Sequence, residues 1–254
     1  MKKIVFATDL DNTLLYSYKH CRPGDICVEY IKGKEQGYMP MSVYESLRVI
    51  ADHAEIIPIT TRSIDQYKRI NWPAGAEPKI AAVTNGSILL GNSALNCQWE
   101  ENVEASMSEL ERMQAILAIS TDYIRCRMVD NKYLFVYCAK EIDPIQQSKA
   151  IQELTPLKVT ASGKKIYLFP PGVDKGTATS KIRRFLEPDL LISAGDSDID
   201  LPMLNQADIA LVPNADLAAK LHGDSLRQVL ICPKEQSFLE FTTKKAIILA
   251  TDGL

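Results

Sequence analysis

Two carboxylates two residues apart, Asp9 and Asp11, head the stretch Asp9-Leu10-Asp11-Asn12-Thr13-Leu14-Leu15. Acids this close repel unless a cation or a proton separates them. That arrangement can make one a nucleophile and the other an acid/base. Alone, the spacing also suits a turn whose Asp and Asn side chains cap the backbone. Three further segments carry groups of complementary kinds. Thr60, Thr61 and Arg62 offer hydroxyls and a cation to an anionic oxygen. Lys175 sits in Asp174-Lys175-Gly176, at a helix start, where an ammonium opposes the helix dipole and so needs a local reason. Gly195-Asp196-Ser197-Asp198-Ile199-Asp200 adds carboxylates, hard oxygen ligands of the kind Mg2+ takes. Each piece has a plainer reading, a helix cap for the threonines or a solvated first turn for Lys175. Together they suit phosphoryl transfer, where positioning and charge neutralisation do most of the catalysis.

These groups need strand ends and helix starts to hold them. A first strand is expected at residues 3–8, whose run Ile4-Val5-Phe6-Ala7-Thr8 before Asp9 is continuously apolar, the pattern of a buried parallel strand. Comparable runs at 55–60, 79–83, 190–194, 209–212 and 229–232 alternate with helical segments near 41–53, 174–187, 214–222 and 235–250, with Ser42 as a cap for the first. Pro58 is awkward for a central strand. Strands alternating with helices call for a mainly parallel sheet with right-handed crossovers, and ligands bind at the carboxyl ends of such strands.

Two stretches depart from this rhythm. Residues 16–40 hold two short β-like runs around a Gly-bounded turn, which predicts a hairpin beside Asp9 and Asp11, either a flap over the site or a plain surface hairpin. Residues 87–169 read as a hairpin through Gly91-Asn92, then a helix, two strands, a helix and two strands, hence a second domain with an antiparallel sheet covered on one side. Alternation puts Ile124, Cys126 and Met128 on one face and Tyr123, Arg125 and Arg127 on the other. Leu134, Val136 and Cys138 oppose Tyr133, Phe135 and Tyr137 in the same way. The second face is aromatic and basic, and Arg125 and Arg127 are candidates to read an anionic or polyol part of a substrate.

The chain has 254 residues and a formal net charge of −3, which gives no global pull toward nucleic acid or acidic membranes. The apolar run before Asp9 is too short for a signal peptide or a bilayer span. Its six cysteines form no C-x-x-C pair and read as reduced thiols of a cytoplasmic protein. His20, His53 and His222 have no metal-like spacing and receive no role.

The D-L-D-N-T-L stretch, the T-T-R after the second strand, Lys175 and G-D-S-D-I-D-L-P-M-L resemble, in order, the four motifs of the haloacid dehalogenase superfamily. The α-β-β-α-β-β insertion resembles its larger cap class, with Cof-type, sucrose-phosphate and mannosyl-3-phosphoglycerate phosphatases and phosphomannomutase among its members. The resemblance implies a Rossmann-like α/β core at 1–86 and 170–254 and an α+β cap at 87–169. It implies a Mg2+-dependent phosphatase of a small phosphorylated metabolite, a phosphosugar among the candidates. Asp9 would form an aspartyl-phosphate, and Asp11 would protonate the leaving oxygen and then activate water. Thr60, shared by Thr61, and Lys175 would hold phosphoryl oxygens. Asp9, the Asp11 carbonyl and Asp196 would bind Mg2+, with Asp200 behind them or acting through water. A phosphomutase and a non-catalytic binding module on the same fold are the alternatives. Two positions depart from the family pattern: Ile199 stands where an Asn is usual, and Thr61 where a Gly is usual.

Overall fold

Ile4-Val5-Phe6-Ala7-Thr8 forms strand β1, and all five residues are buried. A strand covered on both faces needs an unbroken apolar run, and this one has it. The computed structural model describes residues 2–91, 99 and 103–251. β1 lies within a five-stranded sheet, in the order β14 (Gln228–Ile231), β13 (Ile209–Val212), β12 (Leu190–Ala194), β1, β5 (Glu55–Pro58), with every pair parallel. Helix α1 (Met41–His53) turns Val43, Leu47 and Ile50 onto one face, against Phe6, Leu10 and Leu14. Helix α5 (Lys175–Leu186) turns Ala178, Ile182 and Leu186 onto the other, against Val5, Ala7 and Leu191. Truncating fully buried Phe6 to Ala would cost roughly 3–5 kcal/mol. This is the Rossmann-like α/β core read from the sequence. β1 has β5 on one side and β12 on the other, so the winding reverses there and a crevice opens at the strand ends.

Residues 16–40 form the expected hairpin, as a three-stranded antiparallel sheet of β2 (Tyr16–Ser17), β4 (Lys34–Met39) and β3 (Ile26–Ile31). Its turn uses Lys32 and Gly33, both at positive φ. Pro58 is tolerated because β5 ends the sheet. Only from Ile59 on does the chain meet a second neighbour, through a bridge to Ala82, so the missing N–H leaves no ladder partner unmet.

The insertion follows the order α3 (Glu104–Ala118), β8 (Tyr123–Val129), β9 (Tyr133–Cys138), α4 (Pro144–Gln152), β10 (Lys158–Ser162), β11 (Lys165–Phe169), and its sheet runs β10-β11-β9-β8. One face packs on its helices through Leu134, Val136, Ile166 and Leu168. The other carries Tyr133, Phe135, Tyr167 and Phe169, whose rings lie 5.0–6.1 Å apart and pack with Ile199 of the core. Ile199 thus fills an apolar seat under the inserted sheet, which accounts for the departure at that position.

Three local expectations are corrected. Ser42 does not cap α1: the N-cap is Pro40, and the Ser42 hydroxyl donates to Glu240 at 2.8 Å. A register shift between Tyr123 and Arg125 slips the alternation, so Tyr123 packs with Cys126 and Met128 while Ile124 is 70% exposed. β6 (Ala81–Val83) pairs with β7 (Ile88–Leu90) through a turn of Thr84, Asn85 and Gly86, all at positive φ. Most of the expected 87–98 hairpin, with Cys97, lies outside the described residues. The helix expected at 214–222 is one turn, α7 (Ala215–Ala218). Among the described residues no helix is long and apolar enough to cross a membrane, and the five cysteines are free thiols.

Candidate active site

At the end of β1 the Asp9 N–H still donates to the Ala194 carbonyl at 2.9 Å, so the ladder carries Asp9 to the tip of β12. Asn12, at φ 62°, then turns the chain back, and its side-chain amide donates to Asp196 at 3.3 Å. Asp174 caps α5 by accepting from the Thr177 N–H at 2.9 Å, which points the next residue into the crevice. The Lys175 ammonium is 1% exposed and donates to Asp9 Oδ1 at 2.5 Å and Asp200 Oδ1 at 2.6 Å. Asp200 Oδ2 accepts from the Asp196 and Ser197 backbone N–H groups and the Ser197 hydroxyl, at 2.9–3.0 Å. Both Asp200 oxygens are therefore occupied. Gly195 makes this approach possible, since a Cβ there would lie 2.4 Å from the Asp200 Cβ.

Charge at this centre is unbalanced. Burial pushes the Asp9 carboxyl well above the usual range, Lys175 opposes that, and Asp200, Asp196 and Asp11 add to it. Asp196 is pushed up to about 7 by burial and then by Asp200, with Lys175 and Asn12 pulling the other way. Burial would lower the Lys175 ammonium, but Asp200 and Asp9 outweigh it and hold the proton more tightly than usual. Carboxylate oxygens of Asp9, Asp196 and Asp200 lie within 4.8 Å of one another. An all-oxygen donor set with surplus negative charge fits a hard divalent cation.

Asp11 has a different partner. Its Oδ2 accepts from Arg62 Nε at 3.0 Å and its Oδ1 from Arg62 Nη2 at 2.9 Å. Burial alone would raise this carboxyl; the Arg62 charge and its hydrogen bonds outweigh that and hold it below the usual range. Arg62 is itself buried, and its Nη1 donates to Glu29 Oε2 at 3.0 Å. Arg69 Nε donates to the other Glu29 oxygen at 3.0 Å. Glu29 comes from the hairpin strand β3, as one charged residue in an otherwise apolar run.

Two cavities meet at these groups. One, of about 660 Å³, is lined by Asp9, Asp11, Lys175, Asp196 and Asp200, with Lys19 and His20 from the hairpin side and Tyr137, Lys165 and Tyr167 from the inserted sheet. The other, of about 240 Å³, runs from Asp11 and Arg62 under the hairpin and is also lined by Glu29, Arg69, Lys165 and Tyr167. Lys165 and Tyr167 border both. Tyr133 Oη donates to the Thr61 carbonyl at 2.6 Å, and Asp130 accepts from the Ile64 N–H at 3.0 Å and the Thr84 hydroxyl at 2.5 Å. These bonds hold the aromatic face over the crevice.

Of the residues singled out in the sequence, Asp9, Asp11, Thr61, Arg62, Lys175, Asp196 and Asp200 converge on these cavities. Thr60 is fully buried beside them, its hydroxyl accepting from the Arg62 N–H at 3.1 Å. Arg125 is exposed and Arg127 lies over the Phe135 ring and donates to Gln66 at 3.3 Å; neither lines either cavity. The same sheet face instead brings Tyr137, Lys165 and Tyr167. Sequence reasoning passed over Lys165, Glu29 and His20. The signal for Lys165 was its place two residues before Tyr167, on one face of one strand.

Residues 59–225, about two-thirds of the chain, match the family of haloacid dehalogenase-like hydrolases. A phosphoglycolate phosphatase of Pyrobaculum islandicum is 34% identical over 131 residues, 51% of this chain and 53% of that protein. A second phosphoglycolate phosphatase, of Methanoculleus marisnigri, is 35% identical over 83 residues, 32% of this chain and 36% of that protein. The chain thus matches about half, or less, of the length of these curated relatives. Among solved structures, the sucrose-phosphatase of Synechocystis, in complex with sucrose and phosphate, superposes with a TM-score of 0.65 at 19% identity, covering 97% of each chain. A Thermoplasma acidophilum protein superposes at 0.64 with 15% identity, covering 97% of this chain and 99% of that one. These likenesses show a shared fold.

Proposed function

Because the chain belongs to the family of haloacid dehalogenase-like hydrolases, we propose that it is a Mg2+-dependent phosphatase of a small phosphorylated metabolite, with residues 1–86 and 170–254 as its core and 87–169 as its cap. The observation that carries this reading is the buried Lys175 ammonium shared between Asp9 and Asp200, with Asp196 alongside. Asp9 Oδ2 takes no bond from Lys175 and is the oxygen that attacks phosphorus, forming an aspartyl-phosphate as the P–O bond to the leaving group breaks. Lys175 fixes the Asp9 carboxylate and, with Thr61 and Thr60, lies near the transferred oxygens. Mg2+, held by Asp9, Asp196 and the Asp11 carbonyl, would neutralise phosphoryl charge. Asp200 acts from behind, since both its oxygens are taken by Lys175 and the Asp196-Ser197 turn. Asp11 gives a proton to the leaving oxygen and then takes one from the attacking water.

Lys165 supports a narrower reading of the substrate. Around the two cavities Arg62 and Arg69 are paired with acids, Lys175 with Asp9 and Asp200, and Lys164 with the Lys140 and Ile142 carbonyls. Lys165, bordering both cavities, makes no salt bridge or ammonium hydrogen bond among the described residues, like Lys19 in the larger cavity, though its charge reaches Asp11. A leaving group with its own negative charge, such as the glycolate named in two relatives, complements it better than a neutral sugar. The test is phosphate release across phosphoglycolate, sugar phosphates and aryl phosphates, with and without Mg2+. Isomerised sugar phosphate without released phosphate would point to a mutase. No turnover of any ester would point to a binding module.

A further inference from the structure

Arg62 presents a difficulty for Asp11 as a proton donor. Its guanidinium holds both Asp11 oxygens, at 2.9 and 3.0 Å, and Asp11 must leave that fork to reach a leaving oxygen. Arg62 is 9% exposed, and a buried guanidinium stripped of its anion is strongly unfavourable. The hairpin supplies a second anion. Glu29, 5% exposed, accepts from Arg62 Nη1 on one oxygen and from Arg69 on the other. The β3–β4 register shifts on both sides of Glu29, between Cys27 and Glu29 and between Glu29 and Tyr30. Such irregularities re-aim a side chain, here turning a carboxylate inward from a surface hairpin. Gly37 stands opposite, where a Cβ would lie 3.1 Å from both Glu29 Cβ and Oε2, so the seat is shaped for the Glu29 side chain.

We propose that Glu29 is a positioning residue for the acid step: it is the standing partner of Arg62 that lets Asp11 leave the guanidinium. This rests on the phosphatase reading above. Once out of the fork Asp11 takes up a proton from solvent; in the step it serves, an Asp9 oxygen bonds to phosphorus, the P–O bond to the leaving group breaks, and that Asp11 proton passes to the departing oxygen. With Glu29 neutral, Arg62 keeps Asp11 as its carboxylate partner, and the fork closes on it. The hairpin is then part of the catalytic machinery rather than a surface ornament.

The effect falls selectively on leaving groups that need a proton. The test compares kcat/KM for p-nitrophenyl phosphate, whose phenolate departs unaided, with that for an alkyl phosphate such as phosphoglycolate or glycerol phosphate. In Glu29→Gln the aryl-to-alkyl ratio is expected to rise at least about tenfold, within the range general acids supply. Glu29→Asp, which keeps the anion, should recover most of the loss. Gly37→Ala, which crowds Glu29 without removing its charge, should move the ratio the same way as Glu29→Gln. An equal fall on both substrates, with a lower melting temperature, would make Glu29 purely structural and overturn the proposal, as would an unchanged ratio. If the wild type turned over neither ester, or Asp9→Asn kept full activity, the phosphatase reading would fail first and this inference with it.

Discussion

Replacing Lys175 by Met should expose how the centre is held together. Met keeps most of the volume, so little packing is lost. What goes is a 1% exposed ammonium lying 2.5 Å from Asp9 and 2.6 Å from Asp200. Breaking a buried ion pair from one side strands charge and costs about 3–5 kcal/mol. For a chain of this size each kcal/mol moves the melting temperature about 2–4 °C, so the drop is roughly 6–20 °C. The measurement is thermal unfolding followed by circular dichroism near pH 8 with a chelator present. The pH dependence has a definite sign. Asp9 is already raised above its usual range by burial and neighbouring acids, against the pull of Lys175. Removing Lys175 raises it further. A raised carboxyl contributes most below its unfolded pKa and loses that contribution as pH rises through its folded value. The deficit of the variant should therefore shrink on acidification and be largest at alkaline pH. A Lys175→Met protein melting within about 2 °C of wild type near pH 8 would refute this reasoning.

Three other perturbations test separate parts of the site. Lys165→Ala should raise KM for phosphoglycolate about tenfold while leaving the smaller effect on p-nitrophenyl phosphate, the loss of one charge-assisted contact; equal changes would place Lys165 outside the leaving-group site. Chelation should abolish activity and Mg2+ restore it, and because Asp196 is pushed up to about 7 in the metal-free site, apparent Mg2+ affinity by calorimetry should weaken as pH falls through that value, by about tenfold per unit well below it. Asp130→Ala strands the Ile64 N–H and the Thr84 hydroxyl and should cost about 1–3 kcal/mol in urea unfolding, with a higher KM as the aromatic face loosens.

Much of this was legible in the chain. Asp9, Lys175 and Asp196 could be located because each sits where a strand ends or a helix begins, and a strand buried on both faces announces itself by an unbroken apolar run such as Ile4–Thr8. The order of the inserted elements was legible for the same reason of period. The partner of Asp11 was not. Arg62 was read as a substrate contact, whereas its fork closes on Asp11 through a geometry that no spacing encodes. Glu29 was hidden because a double register shift aims it inward, and strict alternation cannot register a bulge. The same failure swapped Tyr123 and Ile124. Lys165 and Tyr167 reach the crevice because the inserted sheet turns one whole face to it. Arg125 and Arg127, on the edge strand of that sheet, do not line the cavities.

The most direct test is to catch the phosphoryl group on the protein. Acid-quenched turnover of phosphoglycolate or p-nitrophenyl phosphate, followed by peptide mass spectrometry, should find a phosphoryl adduct on Asp9 that hydroxylamine removes and that Asp9→Asn lacks. A phosphoryl group on another residue, or undiminished turnover by Asp9→Asn, would contradict nucleophilic catalysis by Asp9.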